Sequence, residues 1–390
     1  MTPAARLSAA IEILDRVLAG APAERELTNW ARANRFAGSG DRAAIRDHVY
    51  DVLRCRGSFA ALGGALTGRG LMLGLLRAQG VAPEGLFTGE RFAPAPLSEA
   101  ELAAQSAPVS ADLDSADWPE WMRPCLLAEL GGDYPAVSAA MRARAPVWLR
   151  VNTLRATRAE AQQNLKAEGF TTRAHATVAT ALEATQGARK IQSSAAYRDG
   201  LIELQDASSQ AAIAALTEAL PAPQGTVLDY CAGGGGKALA LAAAWPQARI
   251  LAHDVDAARM RDIAPRAERA GLRIETRAPG RPGGDHALVV VDAPCSGSGT
   301  WRRTPEAKWR LTQERLDALV ALQAEILRKA AALVAPGGAL AYMTCSLFEV
   351  ENRLQINEFG ASEGWIARFD QRWLPGPDGD GFYLALLDRA

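Results

Sequence analysis

The sequence predicts an α/β protein whose C-terminal half is a doubly wound parallel sheet, preceded by a helical segment and a small α+β unit. Three observations carry this. From Thr226 onward, apolar strand-like runs alternate with loops and helices, the rhythm of parallel strands joined by crossover helices. Near the N-terminus, Leu7, Ile11, Leu14 and Leu18 recur at helical spacing. In the C-terminal half, each polar motif follows directly on an apolar run, and sheets of this kind bind ligands beyond the carboxyl ends of their strands.

With 390 residues, the chain is expected to hold two or three domains. A hydrophobic share of 48% and a charged share of 22% describe a globular chain, and no apolar run has the length needed to cross a bilayer. The segment MTPAARLSAA lacks a basic stretch followed by an apolar core, so no secretory signal is expected. Cys55, Cys125, Cys231, Cys295 and Cys345 are odd in number and scattered. They argue against a disulfide framework and for a reducing cytoplasm. The four histidines show no ligand spacing, so no metal is expected. Net charge is -1, and arginine supplies nearly all positive charge; its planar fork suits phosphate, although a near-neutral total excludes a non-specific nucleic-acid coat.

In chain order, residues 4–19 form the first helix. Asp41 is expected to cap a second, with Ile45, Val49 and Val52 as its stripe and Arg42, Arg46, Arg54 and Arg56 as a solvated face. Helix is expected to about Gly80. The Pro-, Ala-, Ser- and Glu-rich stretch 83–108 reads as a linker, and a short helix with Trp118, Trp121, Met122 and Leu126 follows. PVWLRVNTL begins a unit of short strands and a helix at 156–168, and alternation puts Arg150 and Asn152 on one face of its first strand, as expected RNA contacts. Strands are then expected at 226–229, 249–253, 287–291 and 339–343, with a helix at 312–334 and a last antiparallel strand in FYLALLDR. The expected domains are 1–80 helical, 81–145 linker and connecting helices, 146–215 small α+β, and 216–390 doubly wound.

CAGGGGK, residues 231–237, lies between a strand and a helix. Its glycines allow close backbone approach and leave a helix N-terminus open. The spacing required of a P-loop is absent. Asp254 ends the next strand, where an acid accepts from ribose hydroxyls; the pair fits NAD, S-adenosylmethionine or another nucleoside cofactor. Two cysteines at strand ends narrow the choice. Cys295 follows Asp292 in VVVDAPCSGSGTW, and Cys345 stands in TCS. Methylating carbon 5 of a pyrimidine needs a thiolate to add at carbon 6, an acid near N3, and a base for the C5 proton. Lys237 supplies positive charge that favours a thiolate.

The chain resembles the RNA cytosine-5 methyltransferases of the RsmB/Nop2/Sun family. RVNTLRAT, GLIELQDASSQ, CAGGGGK, DAPCSGSG and TCSLFEVEN carry the likeness. It implies a class I methyltransferase Rossmann-like domain behind an all-α NusB-like RNA-binding domain and a small α+β subdomain of RRM or ferredoxin-like type. It implies a monomer that uses S-adenosylmethionine on RNA, rRNA first. By the same likeness Cys345 is the nucleophile, Cys295 assists adduct breakdown, and Asp292 contacts the cytosine and the cofactor. Cys231, Ala232, Gly233, Gly234, Gly235, Gly236, Lys237 and Asp254 hold the cofactor, Lys237 lies near the reacting groups, and Arg302, Arg303 and Lys308 lie along passing phosphates. The family's loop is usually CAAPGGKT, and its adenine-side acid falls here about at Gly280. These departures support one alternative, an RNA-binding or ribosome-assembly factor with weakened catalysis.

Overall fold

The structure, a computed structural model, describes residues 1–106 and 116–390. Residues 107–115, in the region expected to link the domains, lie outside these. The chain divides into two compact units: Met1–Arg144 with Trp301–Arg310, and Ala145–Thr300 with Leu311–Ala390.

In the first unit, helices Pro3–Leu18, Ala23–Ala33, Ser39–Arg54, Arg56–Gly63 and Gly68–Ala78 close on Leu7, Ile13, Leu14, Ile45, Val49, Val52 and Leu71. The apolar stripes expected from spacing are the buried ones. Asp41 is not the cap. Gly38 occupies that place, and Asp41, in the first turn, accepts from the Gly38 amide at 3.2 Å. The stretch expected as a linker is packed: Phe87 is 2% exposed, and Arg69 ties Ala95, Pro96 and Glu101. No single helix among the described residues is long and apolar enough to cross a membrane.

The second unit holds two sheets. Strands β1 (Trp148–Val151), β2 (Thr171–Ala174), β3 (Ala181–Gln186) and β4 (Ile202–Leu204) pair antiparallel in the order β2-β3-β1-β4. With helix Arg158–Ala167 between the first two and a short helix, Ala195–Arg198, before the last, this is the βαββαβ ferredoxin-like order. Thr157 and Glu160 form the capping box that starts the longer helix.

The large sheet contains β5 (Thr226–Asp229), β6 (Arg249–His253), β7 (Ile274–Arg277), β8 (His286–Asp292), β9 (Val334–Thr344), β10 (Trp365–Trp373) and β11 (Phe382–Arg389), in the order β10-β11-β9-β8-β5-β6-β7. β9, β8, β5, β6 and β7 run parallel, and β11 and β10 are antiparallel. Alternate residues feed two cores, Val227, Val290, Ala341 and Met343 on one face and Leu228, Val289, Val291 and Leu340 on the other. Burial on both faces explains the unbroken apolar runs. The turn expected at Pro336–Gly338 is an irregularity inside β9, where the pairing steps from His286↔Val334 to Leu288↔Ala339.

Candidate active site

Strand order reverses between β5 and β8, and the polar motifs gather at these carboxyl ends. β8 and β9 are in register to Asp292↔Met343, so the loops that follow them start side by side. The backbone binds them again where the Ala293 amide donates to the Met343 carbonyl and the Gly299 amide to the Cys345 carbonyl, both at 2.9 Å. Cys295 and Cys345, fifty residues apart in sequence, thereby stand Sγ to Sγ at 3.5 Å, both as free thiols.

A buried carboxylate holds this pair of loops. Glu351 is 0% exposed. It accepts from the Ser296 amide at 2.8 Å, the Ser296 hydroxyl at 2.5 Å, the Ser346 hydroxyl, and the Gln323 amide at 2.9 Å. Gln323 also donates to the Pro294 carbonyl at 3.0 Å, and the Tyr342 hydroxyl donates to the Glu351 carbonyl at 2.8 Å. Both cysteine loops and helix Gln313–Ala331 thus meet on one side chain. The residue reading passed over Glu351 and Gln323. Glu351 lies within the TCSLFEVEN motif, but Gln323 is recognisable only once the buried face of its helix is known.

Lys237, at the start of helix Gly236–Ala244, bonds Asp292 at 2.6 Å and lies over the Phe382 ring at 5.1 Å. Burial disfavours its ammonium, but Asp292 outweighs that and raises its pKa. Three cysteines near these groups are set apart by their surroundings. The bond offered by the Cys295 thiol, helped by Lys237, pulls Cys345 below the ordinary thiol value against burial, Asp292 and Glu351. Giving that bond to Cys345, then burial, pushes Cys295 up. Burial and the carboxylates of Asp229, Asp254 and Asp292 push Cys231 to about 12. Of the three, Cys345 is poised to ionise. Asp229, fully buried at the end of β5, makes no hydrogen bond of good geometry. Burial and the repulsion of Asp292 raise it to about 7.

The glycine loop turns through left-handed backbone at Gly233 (φ 50°) and Gly235 (φ 81°). Asp254 is 1% exposed at the end of β6. It accepts from the Gly233 amide at 2.9 Å and the Asp256 amide at 3.0 Å, and faces Arg259 at 3.2 Å. A glycine loop, a helix start and a carboxylate held by its amide fit the amino-acid and ribose ends of the methyl donor that the resemblance implies. At the adenine end, residues 278–284 contain no acid.

Four of the expected RNA contacts are placed elsewhere or otherwise engaged. Arg150 is 7% exposed, and its guanidinium donates to Gln205 Oε1 at 2.6 Å and to the Gly236 carbonyl at 3.1 Å. Asn152 is 6% exposed and donates to the Gly200 and Ala270 carbonyls at 3.1 and 2.8 Å. They brace the small sheet against the large domain because β1 is buried on both faces, so alternation exposes neither residue. Arg302 and Lys308 belong to the segment packed in the first unit and are 2% and 1% exposed. Lys308 donates to the Arg54 carbonyl at 3.3 Å and lies over the Trp118 and Trp309 rings; burial lowers it to about 8. Arg303 is exposed.

Comparison with known proteins agrees with this architecture. The family model described as 16S rRNA methyltransferase RsmB/F matches residues 217–388, and an RsmF/B-like ferredoxin-like domain model matches 118–189. Ribosomal RNA small subunit methyltransferase B of Xanthomonas campestris pv. campestris is 34% identical over 309 residues, 74% of this chain and 70% of that protein. The protein of the same name from Vibrio cholerae is 32% identical over 286 residues, 70% of this chain and 65% of that protein. The chain thus spans about two thirds of the length of these curated relatives. Among solved structures, a methyltransferase homolog from Pyrococcus horikoshii superposes with a TM-score of 0.60 at 24% identity, covering 70% of this chain and 96% of that one. NSun6 from the same organism gives 0.62 at 17%, covering 70% and 98%. These two likenesses establish the fold.

Proposed function

The chain belongs to the RsmB/F family of 16S rRNA methyltransferases, and on that premise we propose that it is an S-adenosylmethionine-dependent enzyme that methylates carbon 5 of a cytosine in RNA, rRNA first, through a covalent cysteine adduct. The observation that carries this reading is the pair of free thiols 3.5 Å apart, the more acidic of them Cys345, beside the Lys237–Asp292 pair.

The chemistry follows from what each group can do. The target base leaves its stack to reach the loops. The Cys345 thiolate adds to carbon 6, which turns the ring into an enamine nucleophilic at carbon 5. Asp292 lies where a carboxyl group can bond the cytosine edge and stabilise charge at N3, and Lys237 keeps the surroundings of the thiolate positive. When bound, the donor supplies an electrophilic methyl group on a sulfonium. Loss of the C5 proton then lets the C6–S bond break, which returns the electron pair to Cys345. Cys295, with its raised thiol affinity for the proton, is the group adjacent to take that proton.

Cys345→Ala is expected to abolish methyl transfer, read by bisulfite sequencing of RNA treated in vitro. Cys295→Ala is expected to accumulate a denaturation-resistant protein–RNA adduct. Full activity in the first variant would refute the nucleophile assignment, and rapid release of methylated RNA by the second would refute the elimination role. The lack of an acid in residues 278–284 favours a second reading, an assembly factor with weak catalysis. Calorimetric titration with S-adenosylmethionine separates the two: micromolar affinity supports the enzyme, and no binding at millimolar donor supports the factor.

A further inference from the structure

A second positively charged site lies in the N-terminal helical unit, away from the cysteines in sequence. Helices Ala23–Ala33 and Ser39–Arg54 and the turn between them wall a cavity of about 470 Å³. Its floor is apolar, made by Leu27, Trp30 and Ile45 of the unit's core. Its rim is Arg32, Arg35, Arg42 and Arg46.

The carboxylates around it are engaged elsewhere. Glu24 takes Arg46 in a two-pronged bond at 2.6 and 2.8 Å. Asp41 takes Arg6 at 2.8 Å and the terminal ammonium at 3.2 Å. Glu26 faces Arg16 and Arg25 at 3.7 and 3.5 Å. Among the described residues, none of these bonds or ion pairs reaches Arg32, Arg35 or Arg42, and all three are exposed. Phe36, next to Arg35, is 75% exposed.

An exposed arginine on a helix is ordinarily a solvated one. Here three converge on one concavity, their nearby acids are bonded to other cations, and an aromatic ring stands bare beside them. Uncompensated guanidinium groups repel one another and draw a polyanion. Their planar forks match phosphate oxygens, and an exposed ring beside cations stacks an unpaired base. An acidic peptide would satisfy the charges but leave Phe36 without a flat partner. We propose that this groove is an RNA-binding site, taking backbone phosphates on Arg32, Arg35 and Arg42 and an unstacked base on Phe36. The proposal rests on the reading of the chain as an enzyme acting on RNA.

The test uses the full chain and an unmodified small-subunit rRNA transcript, with binding measured by filter retention from 0.05 to 0.4 M salt. Each phosphate contact contributes about 0.7–0.9 to the slope of log affinity against log salt. The triple variant Arg32→Gln, Arg35→Gln, Arg42→Gln is expected to lose about two to three from that slope and to bind at least tenfold more weakly at 0.1 M salt. Phe36→Ala is expected to weaken binding several-fold with the slope unchanged, because stacking releases no counterions. Retained thermal midpoints and donor affinity show that the variants are folded. If the parent methylates the transcript and the triple variant keeps both slope and affinity, the groove proposal fails alone. If the parent binds the donor but no RNA, the functional reading fails with it. Arginine-dependent capture of polyglutamate but not of RNA overturns the RNA assignment in favour of an acidic protein partner.

Discussion

Cys345 and Cys295 are chemically alike and spatially adjacent, so their difference comes from who donates to whom and from the charges around them. Lys237 favours the thiolate, whereas Asp292 and Glu351 oppose it. Glu351 therefore has two opposed effects: it fixes both loops, and its charge raises both thiols. These effects can be separated. In Glu351→Gln the serine hydroxyls can reorient onto the amide while the charge is gone. Alkylation of Cys345 by iodoacetamide is then expected to move to lower pH, with methylation kept within roughly tenfold. Glu351→Ala removes the bonds as well, and loops misplaced by about 1 Å cost on the order of 100-fold in turnover. An alkylation profile that stays put or moves upward in the Gln variant would reduce Glu351 to ordinary packing. In the parent, alkylation of Cys345 is expected to precede that of Cys295 as pH rises, because the first is lowered and the second raised.

At the scale of elements, legibility tracked burial. β5, β6 and β8 were readable because strands covered on both faces are apolar throughout. β7 and β10 were not: IETR and WIARFDQRW are mostly exposed, with Ile366 62% exposed, so neither shows a continuous apolar run. The glycine loop was legible as a ligand loop but not in its detail. A Cβ at Gly235 would stand 2.8 Å from Ile263 Cγ1, at φ 81°. Gly235→Ala thus combines a clash with left-handed strain of about 1–2 kcal/mol. Donor affinity is expected to fall at least tenfold by calorimetry, with a thermal midpoint only a few degrees lower. Unchanged affinity would show that the loop is not shaped for the donor.

At the scale of the molecule, the arginines divided in a way that spacing does not reveal. Arg150 bonds Gln205 and the Gly236 carbonyl, linking the small sheet to the start of the helix that carries Lys237. Arg150→Met is expected to cost about 2–4 kcal/mol of stability through unpaired buried acceptors and to weaken donor binding. The salt slope of RNA binding should stay at the parent value, and a drop of about one would restore a phosphate contact there. Arg302 and Lys308 looked like a basic tail to the cysteine loop. The chain instead carries Trp301–Arg310 into the first unit, where Trp301 packs with Trp118 at 6.2 Å and the Arg54 guanidinium donates to the Arg302 carbonyl at 2.7 Å.

The sequence by itself determined the sheet class, the strand ends that carry chemistry, and the identity of the two thiols, the acid and the lysine. Those features are local: an apolar run, a glycine loop and a motif are each contained in a short stretch, and a strand buried on both faces has few ways to be written. The tertiary structure alone decided the 3.5 Å approach of the thiols, which of them ionises first, the clasp of Glu351, and which arginines are buried. Each of these depends on distances between residues far apart in the chain, and electrostatics in a partly buried site is set by those distances rather than by residue type.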